Sequence, residues 1–172
     1  MSVYSLKQEQ VLHTTLDRVW DYISTPINLN DLTPEFLQFE ILSDVRGQKM
    51  FQGQFLEYKV KIFPAVWTTW VTEIKHVVDY HSFVDEQRVG PFKIWYHRHV
   101  ITEVPEGVHM LDEVHWVNPL GPIGDVANSL YVGPRVRKIF DHRYNRLEEI
   151  FNGGNAVNQN AQMSTNLTHH AH

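Results

Sequence analysis

The sequence contains no cysteine. Disulfide bonds, cysteine-ligated zinc sites and thiol catalysis are therefore excluded. A surplus of positive charge is also missing, because 15 Lys and Arg residues stand against 20 Asp and Glu residues, for a formal net charge of −5. Proteins that bind nucleic acid usually carry a basic surplus. Nucleic acid is therefore not an expected partner.

Long apolar segments are absent as well. No apolar run approaches the roughly 20 residues that a membrane span needs. The start, MSVYSLKQEQVLHTT, lacks the basic region and apolar core of a signal peptide. The sequence also has no phosphate-binding loop, no G-x-G-x-x-G motif and no nucleophile elbow. We therefore expect a cytoplasmic protein without a membrane span, a metal or an organic cofactor.

What the sequence does contain is enough apolar material for one folded domain, since 42% of its 172 residues are hydrophobic. Alternating residues predict a first strand over Val3–His13. The segment TLDRVWDYIS then has apolar residues at the helical spacing i, i+3, i+4 and i+7, which predicts a short helix ending before Pro26. The polar segment PINLNDLTPEF is typical of a second short helix or a turn.

The middle of the chain consists of short β-rich runs separated by turn residues. The predicted strands are Phe36–Ser43, Met50–Phe63, Ala65–Val77, His81–Gln87, Phe92–Val104 and Val108–Val117. Strands at such short spacing, with no helices between them, predict an antiparallel meander. The fold class is therefore α+β, with about seven antiparallel strands.

A long helix is predicted over Ile123–Phe151 by apolar residues that fall mostly on one broad face. Gly133 and Pro134 should kink or break it. The helix carries five basic residues, Arg135, Arg137, Lys138, Arg143 and Arg146. They are predicted to form its solvated outer face, with a site for an acidic partner as the alternative. An antiparallel sheet that curls around such a helix encloses a natural ligand cavity. Residues 152–172 form an Asn-rich segment without charged residues, predicted to be a disordered tail.

Three segments, FVDEQRVGPFKIWYHRH, LDEVHWVNPLGPIG and RKIFDHR, resemble the SRPBCC superfamily. That superfamily includes START lipid-transfer domains, the birch-pollen allergen fold and polyketide cyclase-like proteins. One bacterial branch has a pattern like F-x-D-x-Q-x-x-G-P-[FY]-x-x-W-x-H-x-H. Nine residues meet it here: Phe83, Asp85, Gln87, Gly90, Pro91, Phe92, Trp95, His97 and His99. The resemblance covers residues 1–151 and implies a helix-grip domain with a hydrophobic cavity.

The segment V-P-E-G-V suits a three-residue hairpin loop, with Gly107 at a left-handed position. That loop would pair Val104 with Val108, His99 with Glu113, and His97 with His115. The paired side chains would then lie on one face of the sheet. A loop shorter or longer by one residue would place Glu113 and His115 on the opposite face.

We expect ten residues from four strands to line the cavity. They are Trp67, Glu73, Phe83, Asp85, Gln87, Trp95, His97, His99, Glu113 and His115. Three interpretations of their polar members stay open. They form a buried hydrogen-bonded network that fixes the strands, they orient a bound ligand, or they bind zinc or iron or perform acid–base chemistry.

The function predicted from this pattern is binding of a small hydrophobic or aromatic molecule, lipid-like or polyketide-like, between the sheet and the last helix. The alternative is a cyclase, dehydratase or hydrolase that uses the same histidines and carboxylates without a cofactor. The expected partner is the small hydrophobic molecule, with a homodimer left open.

Overall fold

A computed structural model describes residues 2–63 and 66–153, with the backbone alone for Phe63. The strands are β1 (Tyr4–Leu12), β2 (Glu40–Ile41), β3 (Phe55–Phe63), β4 (Val66–Val78), β5 (Ser82–Val89), β6 (Ile94–Val104) and β7 (Gly107–Val117). They form one antiparallel sheet in the order β1-β7-β6-β5-β4-β3-β2. The predicted antiparallel meander is confirmed, with β1 closing onto β7.

The helices lie at the two ends of the meander. Helices α1 (Leu16–Ile23) and α2 (Leu29–Leu32) follow β1, with 3-10 turns at Pro26–Asn28 and Glu35–Leu37. Helices α3 (Pro122–Ala127) and α4 (Gly133–Asn152) follow β7. Helix α4 packs against β1 and α2. This is the predicted α+β helix-grip fold, with two short helices after strand 1 and a long C-terminal helix inside the sheet.

The predicted break at Gly133-Pro134 does not occur, because helical residues continue from α3 into α4. A π-helical segment, Asn128–Val132, joins the two helices instead. Pro134 has no N–H to donate to the carbonyl of Leu130, and its ring crowds that carbonyl. A wider turn immediately before the proline accommodates both effects and keeps the helix continuous.

The hairpin between β6 and β7 is one residue tighter than predicted. Val104 pairs with Gly107, so the loop holds two residues and not three. His97 therefore lies opposite Val114, and His99 lies opposite Asp112. Because side chains alternate along a strand, this shift turns β7 over relative to the prediction. The predicted pairs of His99 with Glu113 and His97 with His115 are wrong.

Gly107 explains how the tighter loop is possible. Its φ is +141°, and a Cβ atom there would lie 2.2 Å from the carbonyl oxygen of Leu12 in β1. The backbones of β1 and the hairpin thus approach more closely than any side chain allows.

We expect Gly107→Ala to lower the free energy of unfolding by about 2 kcal/mol or more, through backbone strain and displacement of β1. Urea denaturation followed by circular dichroism measures the change. Gly47→Ala is the matched control, since Gly47 also has a positive φ but open space around it. Its expected cost is about 1 kcal/mol. Equal losses in the two variants would show that close packing on β1 is unimportant.

The core is divided between two clusters of buried apolar side chains. The larger one joins α1, α2 and the middle strands to Leu147 of α4. The smaller one joins β1, β6 and β7 to Val136 and Phe140 of α4. None of the described helices is long and apolar enough to cross a membrane. Of the predicted tail, residues 154–172 lie outside the described part of the chain.

Candidate functional site: a cavity with a buried ionic network

A cavity of about 160 Å³ lies between the inner face of the sheet, the short helices and α4. Most of its wall is aliphatic or aromatic, and the polar lining side chains are few. Those are Thr33, Tyr58, Thr72, Asp85, His97, His99, Tyr131, Arg135 and Arg143. Engineered apolar cavities of roughly 150 Å³ hold a single aromatic ring. The space therefore suits a molecule with one or two rings or a short aliphatic chain.

Strand alternation and helix periodicity place the charged groups of this wall. Asp85 lies on the inner face of β5, and His97 and His99 lie two residues apart on the inner face of β6. Asp112 faces inward from β7 and is 4% exposed. Arg143 is buried because it follows Phe140 by three residues along α4, which puts both on the core face.

These five residues form a closed hydrogen-bonded network, the ionic network below. His97 Nε2 bonds to Asp112 at 3.1 Å, and His97 Nδ1 lies 3.1 Å from an oxygen of Asp85. His99 Nε2 bonds to Asp85 at 3.1 Å. His99 Nδ1 lies 2.6 Å from an Asp112 oxygen and 3.4 Å from Arg143 Nη2. Arg143 Nε donates to the second oxygen of Asp112 at 3.0 Å. Each carboxylate is thus held by both imidazoles.

The network favours charged side chains. Both ring nitrogens of His97 face carboxylate oxygens, and this ring satisfies both only when it carries two protons. Burial alone would lower the pKa of His97, but the charge of Asp85 and hydrogen bonds to Asp112 and Asp85 raise it above its usual value. Burial alone would raise the pKa of both carboxyls. The charges of His97 on Asp85, and of Arg143 and His99 on Asp112, hold these pKa values well below the usual range.

Five of the ten predicted residues lie together on the cavity wall: Phe83, Asp85, Trp95, His97 and His99. The aromatic members pack on the ionic network, since Phe83 stacks on His99 with ring centroids 4.3 Å apart. Gln87 lies beyond the lining. Its amide donates to the carbonyl of Phe92 at 2.7 Å and accepts from the Phe92 N–H at 3.3 Å, which ties down the loop between β5 and β6.

The other four predicted residues do not line the cavity, which corrects the sequence prediction. Trp67 is 45% exposed, with Lys59 4.7 Å from its ring centroid. Glu73 forms an ion pair with Arg88 on the outer face of the sheet. The inner face of β4 belongs instead to Trp70, Thr72 and Ile74.

Glu113 and His115 also lie on the outer face, because of the two-residue hairpin loop. The Glu113 carboxylate oxygens lie 3.5 Å from Arg98 Nε and 3.5 Å from His115 Nε2. The His115 side chain is 41% exposed.

Sequence reasoning missed three charged residues of the site. The predicted hairpin register, in which Glu113 faces inward, places its neighbour Asp112 on the outer face of the sheet. Arg143 was assigned to the solvated face of the helix, although its spacing from Val136, Phe140 and Leu147 matches the buried positions. Arg135 was assigned there too, yet it lines the cavity. The helix spacing could have identified Arg143; no sequence signal separates Arg135 from its basic neighbours.

Asp85, His97 and His99 each place one ligand atom within 4.8 Å of the others, a spacing that a divalent metal ion can use. Metal binding there would compete with the hydrogen bonds of the ionic network. A metal-bound ring nitrogen cannot keep the proton that it donates to a carboxylate. Arg143 adds a further positive charge behind the site. The geometry thus permits a metal, while the charges favour the protonated network.

No protein-family model matches the sequence, and no curated protein matches it significantly. Solved structures do match the fold. The Zhui aromatase/cyclase from Streptomyces superposes with a TM-score of 0.67 at 13% identity, over 88% of this chain and 98% of that chain. TTHA0849 from Thermus thermophilus gives 0.65 at 14%, over 88% and 99%. Ara h 8.0201 gives 0.60 at 11%, over 88% and 99%. The chain therefore has the helix-grip fold that its sequence resemblance implies.

Proposed function

We propose that the protein binds a small apolar molecule, aromatic or aliphatic, in the cavity between the sheet and α4. The observation that carries this proposal is the form of the cavity, an apolar space with few polar groups gathered on its wall. Such a combination is typical of sites that bury a hydrophobic ligand and orient it by a few hydrogen bonds. The fold shared with an aromatase/cyclase adds support at the level of architecture.

Two polar side chains of the cavity wall, Tyr58 and the network member Asp85, are suited to orient the polar end of such a ligand. Burial and the charge of Asp85 raise the pKa of Tyr58, which lines the cavity, so its hydroxyl stays protonated and can donate. Asp85 keeps 21% of its side-chain surface accessible and can accept. A ligand hydroxyl or carbonyl placed between these side chains would find both kinds of partner.

The alternative, a cofactor-independent cyclase, dehydratase or hydrolase, has less support from the same atoms. A general base needs a free acceptor with a pKa near neutrality. All four imidazole nitrogens of His97 and His99 lie within 3.1 Å of a carboxylate oxygen, and the pKa values of Asp85 and Asp112 lie far below neutrality. The network is therefore better suited to holding one charge state than to exchanging protons.

Filling the cavity should abolish binding. We expect Ile139→Trp to weaken the binding of indole and 2-naphthol at least tenfold, because Ile139 lines the cavity and a larger side chain takes the ligand's space. Isothermal titration calorimetry measures the affinities. Ile123→Trp is the matched control, since Ile123 is 72% exposed and lies outside the cavity.

Ile62→Trp repeats the test from the opposite wall in case Ile139→Trp disturbs the fold. Native mass spectrometry of the purified protein would reveal a ligand retained from the cell. The proposal is wrong if no retained ligand is found and neither probe binds the wild type, or if both cavity variants bind as tightly as the wild type.

A further inference from the structure

Arg135 differs from the other arginine of the cavity wall in having no acidic partner. Arg143 is neutralised by Asp112 in the ionic network. Among the residues that the structure describes, no carboxylate forms an ion pair with Arg135. Its Nη1 donates to the hydroxyl of Tyr131 at 2.8 Å, and its Nε is buried without any hydrogen-bond partner. A buried donor without a partner destabilises the folded protein. Arg135 Nε is such a donor on a residue of the cavity wall.

The Arg135 guanidinium is held in place without being neutralised. It lies 4.8 Å from the ring centroid of Phe36 and 5.0 Å from that of Tyr131. Contacts with two aromatic rings orient the guanidinium plane and leave its charge in place. Nε and Nη2 form one edge of the guanidinium, and Nη1, which bonds to Tyr131, is not part of that edge. Two parallel N–H groups on one edge match the two oxygens of a carboxylate.

The positions of the two arginines on α4 also bear on the kind of ligand that the cavity can hold. Arg143 is paired with Asp112 at 3.0 Å, so Arg135 is the arginine of the cavity wall whose charge is left for a ligand. Arg135 and Arg143 lie eight residues apart on α4, which separates their backbones by about 12 Å along the helix axis. The wall between them is apolar, formed by Val136, Ile139 and Phe140.

We infer that the ligand is an amphipathic carboxylic acid, whose apolar body fills the cavity and whose carboxylate binds the Nε and Nη2 edge of Arg135. This inference rests on the proposed function and names the chemical class of its ligand. A carboxylate supplies the missing partner of Nε, and the apolar wall accepts a ring or a short chain. A carboxamide of the same shape has one acceptor oxygen and no charge, so it cannot accept from Nε and Nη2 in parallel as a carboxylate can.

Cinnamate and cinnamamide test this inference, since they share one shape and differ in charge. We expect the wild type to bind cinnamate at least tenfold more tightly than cinnamamide at pH 7, as measured by isothermal titration calorimetry, with the preference decreasing as salt is added. Arg135→Gln should lose the preference while binding cinnamamide as before. Arg135→Lys should keep part of the preference, because it keeps the charge but not the two-pronged edge.

Lys138→Gln is the matched control, since it removes one positive charge from an exposed position on the same helix. It should keep the full preference. Equal binding of the two probes by the wild type would overturn the inference and leave the proposed function intact. A preference that survives in Arg135→Gln would also overturn it, because another group would then recognise the anion. If neither probe binds, the inference and the proposed function both lose their support.

Discussion

Replacing Asp112 by Asn is expected to lower the free energy of unfolding by about 3–5 kcal/mol, a range typical of breaking a buried ion pair from one side. Asp112 is 4% exposed and accepts hydrogen bonds from His97, His99 and Arg143. The amide keeps the shape of the carboxyl but removes its charge. Arg143 and the two histidines would then stay buried with Asp85 as the one remaining carboxylate of the network. Urea denaturation at pH 7 measures the loss.

Two further variants separate loss of the network from loss of a charge. Asp79→Asn removes a carboxylate from an exposed position and should change stability by less than about 0.5 kcal/mol. Arg143→Met combined with Asp112→Asn removes both partners of one pair. Its cost should be clearly smaller than the sum of the two single costs, because neither charge is left alone. Additive costs would contradict the coupling.

The fold could be predicted because several features of the sequence agree. Alternation in β1 and β3–β7, turn residues between them and the helical spacing near the C-terminus all indicate an antiparallel sheet with a long last helix. The nine-residue pattern from Phe83 to His99 adds a family resemblance that names the same fold. The predicted ends of individual strands agree less well with the structure. Strand β2, for example, spans Glu40–Ile41 and not the predicted Phe36–Ser43.

Only part of the site could be predicted, because the pairing register of each strand decides which of its side chains face the cavity. A change of one residue in a loop is enough to shift that register. On β6 the resemblance fixed His97 and His99 correctly. On β7 nothing in V-P-E-G-V distinguishes a two-residue from a three-residue loop, and the difference decides whether Asp112 or Glu113 faces the cavity. The deciding contact, Gly107 against Leu12 of β1, joins residues far apart in sequence. No pattern in the sequence around Gly107 indicates such a contact.

The ionic network matches the structural interpretation of the polar residues and is compatible with the ligand-binding one. It joins β5, β6 and β7 to α4 through side chains that are buried and mutually satisfied. A wall held this firmly is also a suitable surface on which to orient a ligand, since little ordering is left to occur on binding. The structural and the binding interpretations are thus compatible. Arg135 lies outside the network, and its Nε has no hydrogen-bond partner.

The charge state of the network should give stability a maximum at mildly acidic pH. Asp85 and Asp112 have lowered pKa values, so their contribution is full above the unfolded value of about 3.9 and is lost as pH falls toward the folded values. His97 has a raised pKa, so its contribution is full below about 6.5 and is lost as pH rises through the folded value. We therefore expect stability to fall on both sides of the interval from about pH 4 to about pH 6.5.

Urea denaturation from pH 3 to pH 9 tests both sides of this maximum. On the acid side, each carboxylate should cost up to about 1.4 kcal/mol per pH unit between its unfolded and folded pKa values. On the alkaline side, His97→Gln should flatten the decrease, because it removes the proton that folding retains. His115→Gln, on the outer face of the sheet, should keep the wild-type slope. If wild-type stability instead rises from pH 6.5 to pH 9 relative to His97→Gln, His97 is neutral in the folded protein and the charges assigned to the network are wrong.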